Sequence, residues 1–122
     1  MCDKNKEYAD GYSAAERLIK DHGIDGVDAI FAATDVIAVG VIKYFNDNKI
    51  SIPKKVAIFG FGNSFMSSIV SPALSTIDQP GYEMGKSAVD ILLSEISQKE
   101  NNEKTEFQKV IIPTSLQIRE ST

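Results

Sequence analysis

Thr34 and Asp35 stand between two apolar runs, Ala29 to Ala33 and Val36 to Ile42, and form the polar pair in this chain best placed to do chemistry. A strand that ends on such a pair and passes at once into a helix presents free N–H groups at the strand's carboxyl end, where ligands of open α/β sheets collect. The other chemical possibilities are thin. His22 is the only histidine and Cys2 the only cysteine, so neither a His/Cys metal cluster nor an intrachain disulfide can be built. His22, beside Gly23, reads as the basic end of a helix. Gly62-Asn63-Ser64-Phe65-Met66 begins like a nucleophile elbow but lacks its closing glycine. Gly60-Phe61-Gly62 has Phe65 where a dinucleotide fingerprint needs a third glycine, which leaves a turn. Asp28 and Asp35 lie seven residues apart, at opposite ends of the apolar run, and cannot share one substrate. Asp35 is most simply a helix N-cap, a role worth about 1 kcal/mol. No catalytic machinery emerges.

The elements that must position this pair form one domain-sized chain. Its 122 residues are 43% hydrophobic, enough for a single core. A net charge of -4 argues against direct contact with nucleic acid, which needs clustered Lys and Arg. The longest apolar run falls short of a membrane span. The opening MCDKNKEY is polar throughout, unlike a secretory signal, and with the lone cysteine it points to a reducing, cytoplasmic setting.

Tyr8, Ala9, Tyr12, Ala15, Leu18 and Ile19 recur at helical steps, predicting an amphipathic helix from about Lys6 to His22 that ends at Gly23. Ala29 to Ala33 reads as a buried strand. Val36 to Asn48 is rich in β-branched residues, yet its length and the polar pair before it predict a helix, with Ile37, Ala38, Val41, Ile42 and Phe45 on the packed stripe. Val36 and Val39 lie off that stripe. They fit either a second contact or a thicker local core.

Val56 to Phe61 reads as a second buried strand, followed by Gly62-Asn63, where positive φ or close backbone approach is expected. A short helix over Phe65 to Val70, a strand over Leu74 to Ile77 and a helix over Tyr82 to Ser97 follow. Gln98 to Glu106 reads as a loop, and Phe107 to Ile112 and Ser115 to Arg119 as two strands. The alternation predicts an α/β layered domain, α/β/α, with a mostly parallel sheet.

Four stretches, AIFAATDVIAVGVIKYF, IPKKVAIFGFGN, SPALSTIDQPGYEMGKSAVDILL and VIIPTSLQIREST, together resemble the LacI/GalR family of bacterial transcription regulators, most of all its catabolite-control branch. The likeness runs from about Tyr8 to Thr122, with the motifs in family order and spacing. It implies a type I periplasmic-binding-protein-like fold, in which two α/β subdomains close on a small effector, usually a sugar or nucleobase. It further implies that this chain is the later half of such a regulator. The DNA-binding headpiece, through which alone DNA would be touched, and most of the first subdomain would lie outside it.

By the same resemblance, Thr34, Asp35, Phe61, Gly62 and Asn63 fall on the effector side. Thr34 would reach the ligand, and Asp35 would hold the loop. Family members carry an effector-binding aspartate where this chain has Gly62, which removes the usual acceptor for a sugar hydroxyl. Val36, Val39, Lys43, Met66, Ile69 and Val70 match the surface through which the family dimerises. The helix from Tyr82 belongs to the missing subdomain, so its apolar face would be left to self-association or to a swap with a second copy. No cofactor or metal is implied. An exported sugar-binding protein of a transport system would share the fold and is the alternative function.

Overall fold

The computed structural model describes residues 4–101, 104 and 107–122. The elements are α1 (Lys4–His22), a 3-10 turn (Ile24–Gly26), β1 (Ala29–Phe31), α2 (Asp35–Asp47), β2 (Ala57–Phe61), α3 (Phe65–Ile69), β3 (Ser75–Asp78), α4 (Gly81–Glu100) and β4 (Ser115–Gln117). They fall into two compact units, residues 1–78 with 115–122, and residues 79–114.

The first unit holds a four-stranded sheet in the order β1-β2-β3-β4. The first three strands are parallel and β4 runs antiparallel to β3. The expected mixed α/β class with a mostly parallel sheet is therefore present. Residues in register share a face of a sheet, and faces alternate along each strand. Ile30 and Ile58 turn to one face and join a core with Ala15 of α1 and Ala38, Val41, Ile42 and Phe45 of α2. Phe31, Phe59, Phe61, Ile77 and Leu116 take the opposite face. The Phe31 and Phe59 rings stack there at 6.2 Å between centroids.

α1 and α2 meet at two glycines. A Cβ on Gly11 would fall on the carbonyl oxygen of Ile37, and one on Gly40 would fall on that of Tyr8. Gly40, which lowers the helix propensity of α2, is thus what lets the two backbones touch. Tyr12 and Tyr44 close one side of the contact edge to face, with centroids 5.3 Å apart. α1 ends where expected: Gly23, at φ 71°, donates its N–H to the Ile19 carbonyl at 2.8 Å.

Three expectations need correction. The Ala29–Ala33 run is not a buried strand. β1 covers Ala29–Phe31 at the edge of the sheet, where only β2 flanks it, and Phe31 is 62% exposed. Phe107 to Ile112 forms no strand: a strand needs a ladder partner, and among the described residues of its unit the one regular element is helix α4. α4 continues through Gln98, Lys99 and Glu100, good helix formers with no breaker among them, so the predicted loop starts later. Its positions 102, 103, 105 and 106, like Cys2, lie outside the described residues.

Candidate functional site

The carboxyl ends of β1, β2 and β3 come together, and the residues following them are tied into one network centred on Asp35. The side chain that caps α2 is Thr34, not Asp35: Thr34 is extended (φ -141°, ψ 156°), and its Oγ1 accepts a hydrogen bond from the Ile37 N–H at 3.3 Å. Asp35 is the first residue inside the helix, 2% exposed. Its Oδ2 accepts from the Ser64 backbone N–H and its Oδ1 from the Thr76 hydroxyl, each at 2.6 Å. A carboxylate in the first turn of a helix is also favoured by the partial positive charge of the free N–H groups there. Asp35 thus ties the first turn of α2 to the loop after β2 and to β3.

Gly60 makes this possible. A Cβ at that position would collide with Asp35 Oδ1 and stand 2.9 Å from Leu74 Cδ2. Beyond it the chain turns sharply, with Gly62 at φ 122° and Asn63 at φ 48°, the positive-φ turn that the glycines and asparagine predict. The Asn63 N–H donates to Thr76 Oγ1 at 3.3 Å, so one hydroxyl joins both sides of the turn. The Asn63 amide is fixed by its partners. Its Nδ2 donates to Asp78 Oδ1 at 3.0 Å, while its Oδ1 accepts from an Arg119 Nη at 2.7 Å. The other Nη of Arg119 donates to Ser67 Oγ at 3.0 Å and to the Leu74 carbonyl at 2.7 Å.

Of the five residues expected on the effector side, Thr34, Asp35, Gly62 and Asn63 are brought to this rim. Phe61 turns to the opposite face of the sheet, in register with Ile77. Thr76, Asp78, Ser67 and Arg119 complete the network and were missed. The available signal was position: Thr76 and Asp78 close a strand parallel to β2, so they had to emerge beside the Gly62 turn. Arg119 is 56 residues from Asn63 and gave no signal.

Thr34 spends only an acceptor lone pair on the cap, so its O–H proton is still available to donate. Replacing it with alanine should destabilise the fold by about 1 kcal/mol, and serine should recover most of the loss, as read from urea unfolding midpoints.

The residues expected at a subunit surface lie on α2 and α3. Val36, Val39, Met66 and Val70 are half-buried, while Lys43 and Ile69 are exposed. Asn46 of α2 donates its Nδ2 to the Ser71 carbonyl, just past the end of α3, at 2.9 Å. Lys43 forms an ion pair with Asp47, whose other oxygen accepts from the Tyr12 hydroxyl at 3.3 Å. The hydrogen bond from Lys43 holds the Asp47 carboxyl below its ordinary pKa, and the same bond raises that of Lys43. Desolvation, then the charge of Asp47, pushes the Tyr12 phenol up. Among the described residues no group of three His, Cys, Asp or Glu side chains could hold a metal ion, and no helix is long and apolar enough to cross a membrane.

The profile of the periplasmic binding protein-like domain family matches residues 2–122. The chain belongs to that family. Within it, the similar proteins are LacI-type transcription regulators. The HTH-type transcriptional regulator RegA of Clostridium acetobutylicum is 40% identical over 91 residues, covering 75% of this chain and 26% of RegA. Catabolite control protein A of Priestia megaterium is 32% identical over 115 residues, covering 94% of this chain and 33% of that protein. A LacI family transcriptional regulator of Enterococcus faecalis V583, solved with bound ribose, superposes with a TM-score of 0.79 at 30% identity, covering 94% of this chain and 40% of its own. The chain thus spans about a third of the length of the curated relatives it matches, and it shares the periplasmic-binding-protein-like fold with the effector-binding domains of LacI-type regulators.

Proposed function

We propose that residues 1–122 are the later part of the effector-binding and dimerisation domain of a LacI-type transcription regulator, a non-enzymatic sensor working in the cytoplasm. The observation that carries this reading is the Asp35 network. It fixes the first turn of α2 to the loop at 62–64, at the carboxyl ends of three parallel strands, and so builds a rim on which a small molecule can rest. Thr34 presents a hydroxyl donor there, and Gly62 leaves the backbone bare. The effector is a small molecule, sugar-like if it follows the ribose of the Enterococcus faecalis regulator and of another kind if the absence of the usual aspartate at Gly62 excludes a conventional sugar. Its binding biases two arrangements of the whole regulator and so changes operator affinity, with DNA touched through a headpiece outside these residues. A transport-type binding protein stands second, because the similar proteins named above are regulators.

Ribose supplied at millimolar concentration to the isotope-labelled chain should move the amide resonances of Thr34, Gly62 and Asn63 ahead of all others. A response centred elsewhere on the chain would remove the effector reading.

The partner of the domain is a second copy, docked through Val36, Val39, Lys43, Met66, Ile69 and Val70. Charged replacements at the half-buried Val39 and the exposed Ile69 place unpaired carboxylates in that contact. Val39→Glu or Ile69→Glu should weaken association about tenfold or more in sedimentation equilibrium, and an unchanged association state would count against this surface. In a chain without the first subdomain, the apolar face of α4 gives a further reason to self-associate, by helix exchange or by direct pairing.

A further inference from the structure

Three groups stand in a row at the carboxyl ends of the parallel strands: Thr34 after β1, the Gly62 turn after β2 and Asp78 at the end of β3. The Gly62 N–H donates to the Ile77 carbonyl at 2.8 Å, which seats the turn against the end of β3. Gly62 is exposed, and a Cβ built there would meet only Asp35 Oδ2, at 4.0 Å, so the middle of the row is bare backbone.

Asp78 is half-buried and is committed through one oxygen alone. Arg119 occupies Asn63 Oδ1, which turns the Asn63 NH2 toward Asp78 Oδ1. Among the described residues no group donates to Asp78 Oδ2, and that oxygen is open to solvent. The rim therefore carries a hydroxyl donor at Thr34 and a carboxylate acceptor at Asp78, one on either side of Gly62.

We propose that Asp78 Oδ2 accepts a hydrogen bond from a hydroxyl of the effector, and that the effector is a neutral or cationic polyol of the sugar class and not an acid. This rests on the effector reading above and names the ligand class of the same rim; Asp78 stands in for the acceptor that Gly62 lacks. Neighbouring strands are about 4.8 Å apart, so Thr34 and Asp78 belong to strand ends about 10 Å apart. Two hydrogen bonds of about 2.8 Å leave roughly 4 Å between the bound oxygens, a span that two hydroxyls of one sugar ring cover. A hydroxyl both accepts and donates, so one ring can take the Thr34 proton at one position and give its own proton to Asp78 at another. A carboxylate or phosphate also accepts from Thr34, but it has no proton for Asp78 and sets like charge beside it.

The test is titration of the isotope-labelled 122-residue chain with ribose, and separately with ribose 5-phosphate, at millimolar concentration, in the parent and in Asp78→Asn. The substitution keeps an amide oxygen for Asn63 and replaces the open acceptor with NH2, so amide hydrogen exchange at Asn63 and Ser64 should match the parent. Ribose should move the Thr34, Gly62 and Asp78 amide resonances of the parent and should bind Asp78→Asn about tenfold or more weakly. Ribose 5-phosphate should bind the parent less tightly than ribose, with the gap narrowed about threefold or more in Asp78→Asn. Undiminished ribose binding to Asp78→Asn at Thr34 and Gly62 overturns the role of Asp78 and leaves the effector rim standing. Weaker ribose binding accompanied by faster exchange at Asn63 makes Asp78 a support for the turn and overturns its contact with the ligand. Tighter binding of ribose 5-phosphate than of ribose overturns the ligand class. No response to either probe overturns the proposal, and a response centred elsewhere overturns the effector reading with it.

Discussion

Gly40→Ala should destabilise the protein by about 3 kcal/mol or more, although alanine is the best helix former and glycine among the worst. The added methyl would fall on the Tyr8 carbonyl oxygen and stand 2.9 Å from the Tyr12 nitrogen and 3.2 Å from the Gly11 Cα. These are backbone atoms of α1, which cannot rotate away as a side chain would. The helices must separate, and the core between them, with Ala15, Ala38 and Val41, must open. Gly85→Ala is the matched control: it is also in a helix interior, but nothing lies within 4 Å of the new atom. It should stabilise by about 0.5–1 kcal/mol through propensity alone. Opposite signs for the two substitutions in urea unfolding are the expected result, and a mild effect at Gly40 would refute the close α1–α2 approach.

Asp35→Ala should be nearly as severe, about 3 kcal/mol, because it strands the Ser64 N–H and the Thr76 hydroxyl without their acceptor in a buried place. Asp35→Asn keeps the shape and one acceptor oxygen, but its NH2 then faces one of two former donors. The Thr76 hydroxyl can turn to accept it, whereas the Ser64 N–H cannot, so Asn should lose about half as much. The local signature distinguishes this from general destabilisation. Amide hydrogen exchange at Asn63 and Ser64 should accelerate in Asp35→Asn before that of the β2 interior does, and uniform acceleration would argue that Asp35 serves the core and not the loop.

Much of this architecture was legible because periodicity reports burial. The α2 stripe Ile37, Ala38, Val41, Ile42 and Phe45 was read correctly despite its β-branched residues, since the 3.6-residue spacing of apolar positions outweighs the small propensity differences among them. The Gly62-Asn63 turn was legible because positive φ is nearly confined to such residues. Phe107 to Ile112 misled, since an apolar run is necessary for a strand but a partner is also required. The cap is ambiguous in sequence because Thr34 and Asp35 are both good N-caps, and only the backbone at Thr34, extended with its Oγ1 accepting from Ile37, separates them.

By itself, then, the sequence determined the order of elements as far as α4, the stripe that α2 buries and the junction at Thr34-Asp35, because these depend on residues a few positions apart. Only the tertiary structure decided what Asp35 binds, why Gly40 must be glycine and where Arg119 lies. Those depend on contacts between residues 29 to 56 positions apart, which no local pattern encodes: Asp35 with Ser64, Gly40 with Tyr8, Asn63 with Arg119.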